Sequence, residues 1–257
     1  MKVCWLVFLV GVYAQALTLD RVILATDAHE NYIQFWPLVA KAWRDIVGIR
    51  PTLALIADMS VEIDQSCGDV IRFAPIPGVP TSLYAQTIRL LLPAYFPDDG
   101  CIISDIDMMP LQKKYFIESI NDVSDDRFVV YRGRTYDWMA APRYPMCYIA
   151  AKGSIFKEVF KIQKLGDIPA IVRSWYARGF GWDTDELMLY EYISLWQEKT
   201  NRLTKLLHDS SGRIDRLAWQ FDSAKLKNLI YIDAHMPRPY HLHKELIDQL
   251  IKGLGNE

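Results

Sequence analysis

Apolar residues fall in short blocks along this chain, separated by polar turns. Residues 20–27 (DRVILATD) are apolar from Val22 to Ala25, which predicts a buried strand ending in a polar loop. Residues 31–48 change period. Trp36, Val39, Ala40, Trp43 and Val47 share one face at helical spacing, Gly48 can close the helix, and Pro37 fits if the helix begins near it. Further strands are predicted at 50–58, 69–76, 101–107, 127–133, 146–153 and 228–235. Further helices are predicted at 80–96, capped by Thr81 or Ser82, and at 112–121, 154–165, 168–178, 184–198 and 243–253.

Strand and helix alternate through the first half. That order predicts an α/β fold with a mostly parallel, Rossmann-like central sheet and helices on both faces. Such sheets take ligands beyond the carboxyl ends of their strands. Asp27, Asp58 and the pair Asp105/Asp107 all fall at predicted strand ends, so they are expected along one rim. No internal repeat, low-complexity tract or linker interrupts residues 17–257, which read as one domain.

Composition narrows the classes. Of 257 residues, 51% are hydrophobic and 23% charged, enough apolar material for a substantial core. The net charge of −2 and the lack of long basic runs argue against nucleic acid as a partner. The eight Trp and 14 Tyr are many for this length, and serve either the core or a groove for flat ligands. Residues 1–16 (MKVCWLVFLVGVYAQA) have one Lys, a long apolar run and an A-x-A end. That layout is expected of a secretory signal or weak membrane anchor, which would put the protein in a lumen, at a membrane or outside the cell. Without that role the protein would be cytoplasmic. The four Cys (4, 67, 101, 147) show no metal-site spacing and leave room for one disulfide.

The motif richest in chemistry is CIISDIDMMPL (101–111), with two aspartates one residue apart at the end of an apolar run. Two carboxylates there can share one hard cation, or act as nucleophile and acid. Oxygen ligands suit Mn²⁺ or Mg²⁺, which also bind phosphate oxygens. Three later features add candidates. WDTDE (182–186) puts acids at a helix start, as caps or as an acceptor for a proton. Trp182 offers a stacking face or core packing. The loop 233–244 is rich in His and contains Arg238, whose guanidinium matches phosphate geometry.

Residues 84–111 (YAQTIRLLLPAYFPDDGCIISDIDMMPL) resemble the GT-A family of nucleotide-sugar glycosyltransferases: an Arg-bearing helix, Leu-Pro, a turn, an apolar strand and D-x-D. MCYIAAKGSIFKEVF and GFGWDTDELMLYEYI resemble later segments of that family less sharply. The resemblance implies a GT-A-like fold and transfer of a sugar from a nucleoside-diphosphate sugar to a glycan or other hydroxyl acceptor, with Mn²⁺ or Mg²⁺. It implies Asp107 as a direct metal ligand and Asp105 on the ribose or on metal-bound water. Arg89 would hold the diphosphate or donor sugar, or brace the carboxylates. Thr26, Asp27 and Asp58 would meet the nucleoside, and Arg238 the diphosphate. His241 and His243 are expected as candidates for a late metal ligand, with His235 upstream. Asp185 or Glu186 would take the acceptor proton, and Trp182 and Asp183 would bind the acceptor.

Two other readings share these features. A haloacid-dehalogenase-type phosphatase also uses D-x-D, but usually near the start of the chain and with Thr or Val where Met109 stands. A non-catalytic nucleotide-sugar-binding protein would keep the fold without turnover. No G-x-G-x-x-G follows the first strand and no P-loop is present, which disfavours dehydrogenases and P-loop kinases.

Overall fold

The computed structural model describes residues 15–255. The strands are β1 (Arg21–Asp27), β2 (Arg50–Ile56), β3 (Asp69–Phe73), β4 (Gly100–Ile103), β5 (Met108–Pro110), β6 (Phe128–Val130), β7 (Ile149–Lys152), β8 (Leu203–Lys205), β9 (Arg213–Ile214) and β10 (Asp233–His235). The α-helices are α1 (Glu30–Ile33), α2 (Trp36–Ala42), α3 (Thr81–Leu91), α4 (Lys113–Ile117), α5 (Gly153–Val159), α6 (Ile168–Tyr176), α7 (Thr184–Thr200), α8 (Ser223–Lys227) and α9 (Tyr240–Leu254).

The expected α/β architecture is the one the chain adopts. A seven-stranded sheet has the order β3-β2-β1-β4-β7-β6-β8. Neighbours run parallel except at β7, which is antiparallel to β4 and β6. β1 is buried along its whole length, as a strand covered on both faces must be, and this is why Val22 to Ala25 form an unbroken apolar run. Val22 and Leu24 enter one core with Trp36, Trp43, Phe116 and Ile247, while Ile23 and Ala25 enter the other with Leu83, Ile88, Phe156 and Trp175. The period of two along the strand thus feeds two separate cores.

Several boundaries differ from the sequence pattern. The helix expected at 31–48 is broken into α1, α2 and a wide turn at Trp43–Val47. Pro37 lies in the first turn of α2, where its missing N–H costs nothing, and Gly48 closes the segment at φ +87°. The strand expected at 101–107 stops at Ile103, and the chain re-enters a different sheet at Met108. That second sheet, β5-β10-β9, was not legible beforehand. The late strand expected at 228–235 is confined to Asp233–His235 and belongs to it. Thr81 and Ser82 lie inside α3, whose cap position is Pro80; the Thr81 hydroxyl instead donates to Asp27 Oδ2 at 2.8 Å.

A buried carboxylate locks the two sheets together. Asp233 is fully buried and accepts from Arg132 Nη2 at 2.6 Å, Tyr148 Oη at 2.7 Å and Arg213 Nε at 3.1 Å. Its charge is tolerable only because two guanidiniums and a hydroxyl replace the lost water. Cys67, Cys101 and Cys147 are free thiols, so the disulfide left open by the sequence is not formed among the described residues. The expected signal or anchor falls on residues 1–14, outside those described, and on Gln15 and Ala16, where Ala16 bridges Ser124. No helix among the described residues is long and apolar enough to cross a membrane.

Candidate active site

β1 is followed in space by β2 on one side and β4 on the other, so the strand order reverses between β1 and β4. A crevice beyond the carboxyl ends is expected at such a point. A cavity of about 480 Å³ opens there, within the range of ligand sites. Thr26 and Asp27 line it from the end of β1, and Asp105 to Asp107 from the turn that joins β4 to β5. The D-x-D motif is therefore a link between two sheets. Freed from the pleat, both carboxylates reach the same cavity.

The two aspartates sit in different surroundings. Asp105 accepts from Arg89 Nη1, and Arg89 Nη2 reaches Asp185 Oδ2 at 3.1 Å. Arg89 is buried in the last turn of α3 and bridges the motif to α7. Burial opposes ionisation of Asp105, but the charge and hydrogen bond of Arg89 outweigh it and hold Asp105 below the usual carboxylate range. Asp107, only 4% exposed, faces two guanidiniums and an imidazole through Oδ2: Arg216 Nη1 at 3.0 Å, Arg238 Nε at 3.8 Å and His235 Nε2 at 3.5 Å. Arg238 also stacks on Tyr32, with its guanidinium carbon 4.7 Å from the ring centroid.

α7 brings the second acidic group. Asp183 occupies the cap position, yet its side chain makes no capping bond and pairs instead with Arg143 Nη1 at 3.0 Å. Glu186 Oε1 accepts from Tyr136 Oη at 2.5 Å, and Oε2 lies 3.6 Å from Arg143. Burial pushes the Asp185 carboxyl up to about 6, against the pull of Arg89. It pushes Glu186 up to about 7; the Tyr136 hydrogen bond and Arg143 oppose the shift, while the charges of Asp185 and Asp105 reinforce it. Trp182 is 63% exposed at the same cavity.

Of the residues singled out in the sequence, Thr26, Asp27, Arg89, Asp105, Asp107, Trp182, Asp183, Asp185, Glu186 and Arg238 line this one cavity. Three do not. Asp58 lies two residues past β2, exposed, and only its carbonyl is engaged, by Arg72 and by the Val61 N–H. His241 and His243 lie in the first turn of α9, away from the cavity, and His241 contacts Gln34. His235 is the histidine that lines the cavity, because the antiparallel pairing of β10 with β5 sets it opposite Met108, next to Asp107. Asp27 is turned inward: its Oδ1 accepts from His29 N at 3.1 Å and its Oδ2 from Thr81. Tyr136, Arg143, Arg213 and Arg216 were missed. The aromatic and basic density of 132–143 (RGRTYDWMAAPR) was the available signal for Tyr136 and Arg143, and none marked Arg213 or Arg216.

The donor atoms suit a hard cation carried in with a phosphate. Asp105 Oδ2 and Asp107 Oδ1 are outside the ion pairs, and His235 adds an imidazole nitrogen near Asp107. Among the described residues no three His, Cys, Asp or Glu side chains form a ready-made metal cluster. Mg²⁺ typically binds through one or two carboxylates, completing its shell with water and substrate phosphates.

No protein-family model matches the sequence, and no curated protein matches it. Similar solved structures include glycosyltransferase GlyE of Streptococcus pneumoniae TIGR4, at 11% identity and a TM-score of 0.43, over 74% of this chain and 45% of that one. The apo form of GlyE gives 10% identity and a TM-score of 0.47, over 93% and 61%. Galactosyltransferase LgtC, in complex with donor and acceptor sugar analogs, gives 12% identity and a TM-score of 0.48, over 91% and 95%. The chain thus spans less than two thirds of either GlyE chain. At these identities the likeness concerns the fold.

Proposed function

We propose that this chain transfers a sugar from a nucleoside-diphosphate sugar to a hydroxyl acceptor with the help of a divalent cation. The observation that carries the reading is the convergence of Asp105 and Asp107 with Arg216, His235 and Arg238 in one cavity at the strand-order reversal.

Roles follow from the surroundings. Asp105 Oδ2 and Asp107 Oδ1 would hold Mn²⁺ or Mg²⁺, with water and donor phosphates completing its shell, and the cation when bound would neutralise the departing diphosphate. Arg216 and Arg238 exchange Asp107 for phosphate oxygens as the donor enters. Thr26 and Tyr32, which line the cavity, would meet the nucleoside. Asp27 acts mainly by tying β1 to α3. Arg89 is a strut: its guanidinium is consumed by Asp105 and Asp185, which fixes the motif against α7. Asp185 has both oxygens engaged, by Arg89 and by the Glu186 N–H. Glu186 is therefore the better candidate to take the acceptor proton, with Tyr136 holding its orientation.

The direct test is thermal shift with a panel of nucleotide sugars, with and without Mn²⁺. A ligand selective for the native state raises the melting temperature by mass action. A shift that needs both nucleotide sugar and cation is the expected result; simple phosphate esters hydrolysed at this site, with no such shift, would overturn the reading.

A pH dependence also follows. A base must be unprotonated, so transfer should fall as pH drops through about 7, and Glu186→Gln should abolish that limb together with most activity. Stability moves the other way. Glu186 keeps its proton to a higher pH in the folded chain than at its ordinary 4.5, so the fold loses stability as pH rises from there through about 7. Glu186→Gln should flatten that loss in denaturant titrations run between pH 5 and pH 8.

A further inference from the structure

Among the described tryptophans, two are exposed. Trp36, Trp43 and Trp175 are sealed in the core. Trp138 is 79% exposed and Trp182 63%, and both line the cavity that holds Asp105 and Glu186. Leaving an indole in water forfeits a large burial gain. A pair of exposed indoles at one cavity is thus a placement that a ligand would explain.

The segment that carries Trp138 is built, not trailing. Between β6 and β7 the chain makes successive turns, with Thr135 N on Arg132 O at 3.1 Å and Met139 N on Tyr136 O at 3.0 Å. Arg132, at its root, is locked into the buried Asp233 pair. The indole N–H of Trp138 donates to Thr135 O at 3.0 Å, which fixes the ring edge and leaves its faces free. Trp182 is held from the other side, where its carbonyl accepts from Gln86. Polar groups alternate with these faces: Arg143 and Asp183 are paired at 3.0 Å, and Tyr136 holds Glu186.

Building on the glycosyl-transfer reading, we propose that Trp138 and Trp182 form the acceptor subsite and that the acceptor is a saccharide. A sugar ring has an apolar C–H face and a rim of hydroxyls. The polarised C–H bonds meet the negative face of an indole, and the hydroxyls find Arg143, Asp183 and Glu186. A lipid chain would want a continuous apolar wall, which the ion pair interrupts. A peptide hydroxyl would need no ring-sized faces.

The test uses the full chain and the variants Trp138→Ala, Trp138→Phe and Trp182→Ala. Saturation-transfer NMR with lactose, maltose and methyl mannoside, each with Mn²⁺ and a nucleoside diphosphate present, reads acceptor binding without turnover. Thermal shift with nucleotide sugars reads the donor site. At least one saccharide should contact the wild type through its ring C–H protons. Trp138→Ala and Trp182→Ala should weaken it by about tenfold, the scale of an aromatic contact, while Trp138→Phe keeps most of it. The donor-induced shift should persist in Trp138→Ala. Equal saccharide binding in Trp138→Ala overturns the proposal, as does a wild type that binds none of these saccharides, or that glycosylates a Ser/Thr peptide in preference to them. A failed donor screen with intact, Trp138-dependent saccharide binding would sink the transfer reading and leave this subsite standing.

Discussion

Asp107→Ala is expected to abolish sugar transfer, by about 10³-fold or more, while the protein stays folded. The side chain faces Arg216, His235 and Arg238 at 3.0, 3.5 and 3.8 Å. Removing it would take away a proposed cation ligand and leave the Arg216 and Arg238 guanidiniums facing each other without their counter-ion. The fold tolerates this because the contacts lie at the rim of the sheet, and because the Asp107 carbonyl, which accepts from Met236 N at 2.9 Å, is untouched. Transfer assays combined with circular dichroism check both halves. The same variant should lose the cation-dependent part of the nucleotide-sugar thermal shift. Full activity in Asp107→Ala would remove the basis of the proposed function.

Arg89→Ala should have the largest effect on stability. Arg89 is buried between Asp105 and Asp185, and its loss strands two carboxylates without their counter-ion. Breaking a buried pair by removing one partner costs about 3–5 kcal/mol. For a chain of this size that lowers the melting temperature by about 6–20 °C. A second change separates charge from packing. Adding Asp185→Asn to Arg89→Ala removes one stranded charge, so the double variant should recover part of the loss. Scanning calorimetry on the two single variants and the double variant completes the cycle. Strict additivity would show that Arg89 is not the strut described here. Without Arg89 the Asp185 carboxyl keeps its proton to a pH above the value of about 6 that it has beside the guanidinium, so its share of the penalty should shrink as pH falls toward 6.

The sequence alone determined the elements of the first half and the acids that end them. Continuous apolar runs in β1 and β2 and the helical stripe of α3 are set by neighbours a few residues apart, and such short-range patterns survive being read in isolation. Asp105, Asp107 and Arg89 were legible for the same reason, since one short segment, 84–111, contains them all. What converged on that segment was decided by pairings between distant parts of the chain. His235 reaches Asp107, and His241 does not, because β10 docks antiparallel on β5 and the chain then turns away into α9. Arg216 follows β9, which pairs with β10, and Arg143 and Tyr136 arrive on the turns between β6 and β7. Asp58, by the same token, leaves the rim where β2 ends and stays in solvent. Strand partners of this kind are chosen by burial and register across more than a hundred residues, and local spacing carries no record of that choice.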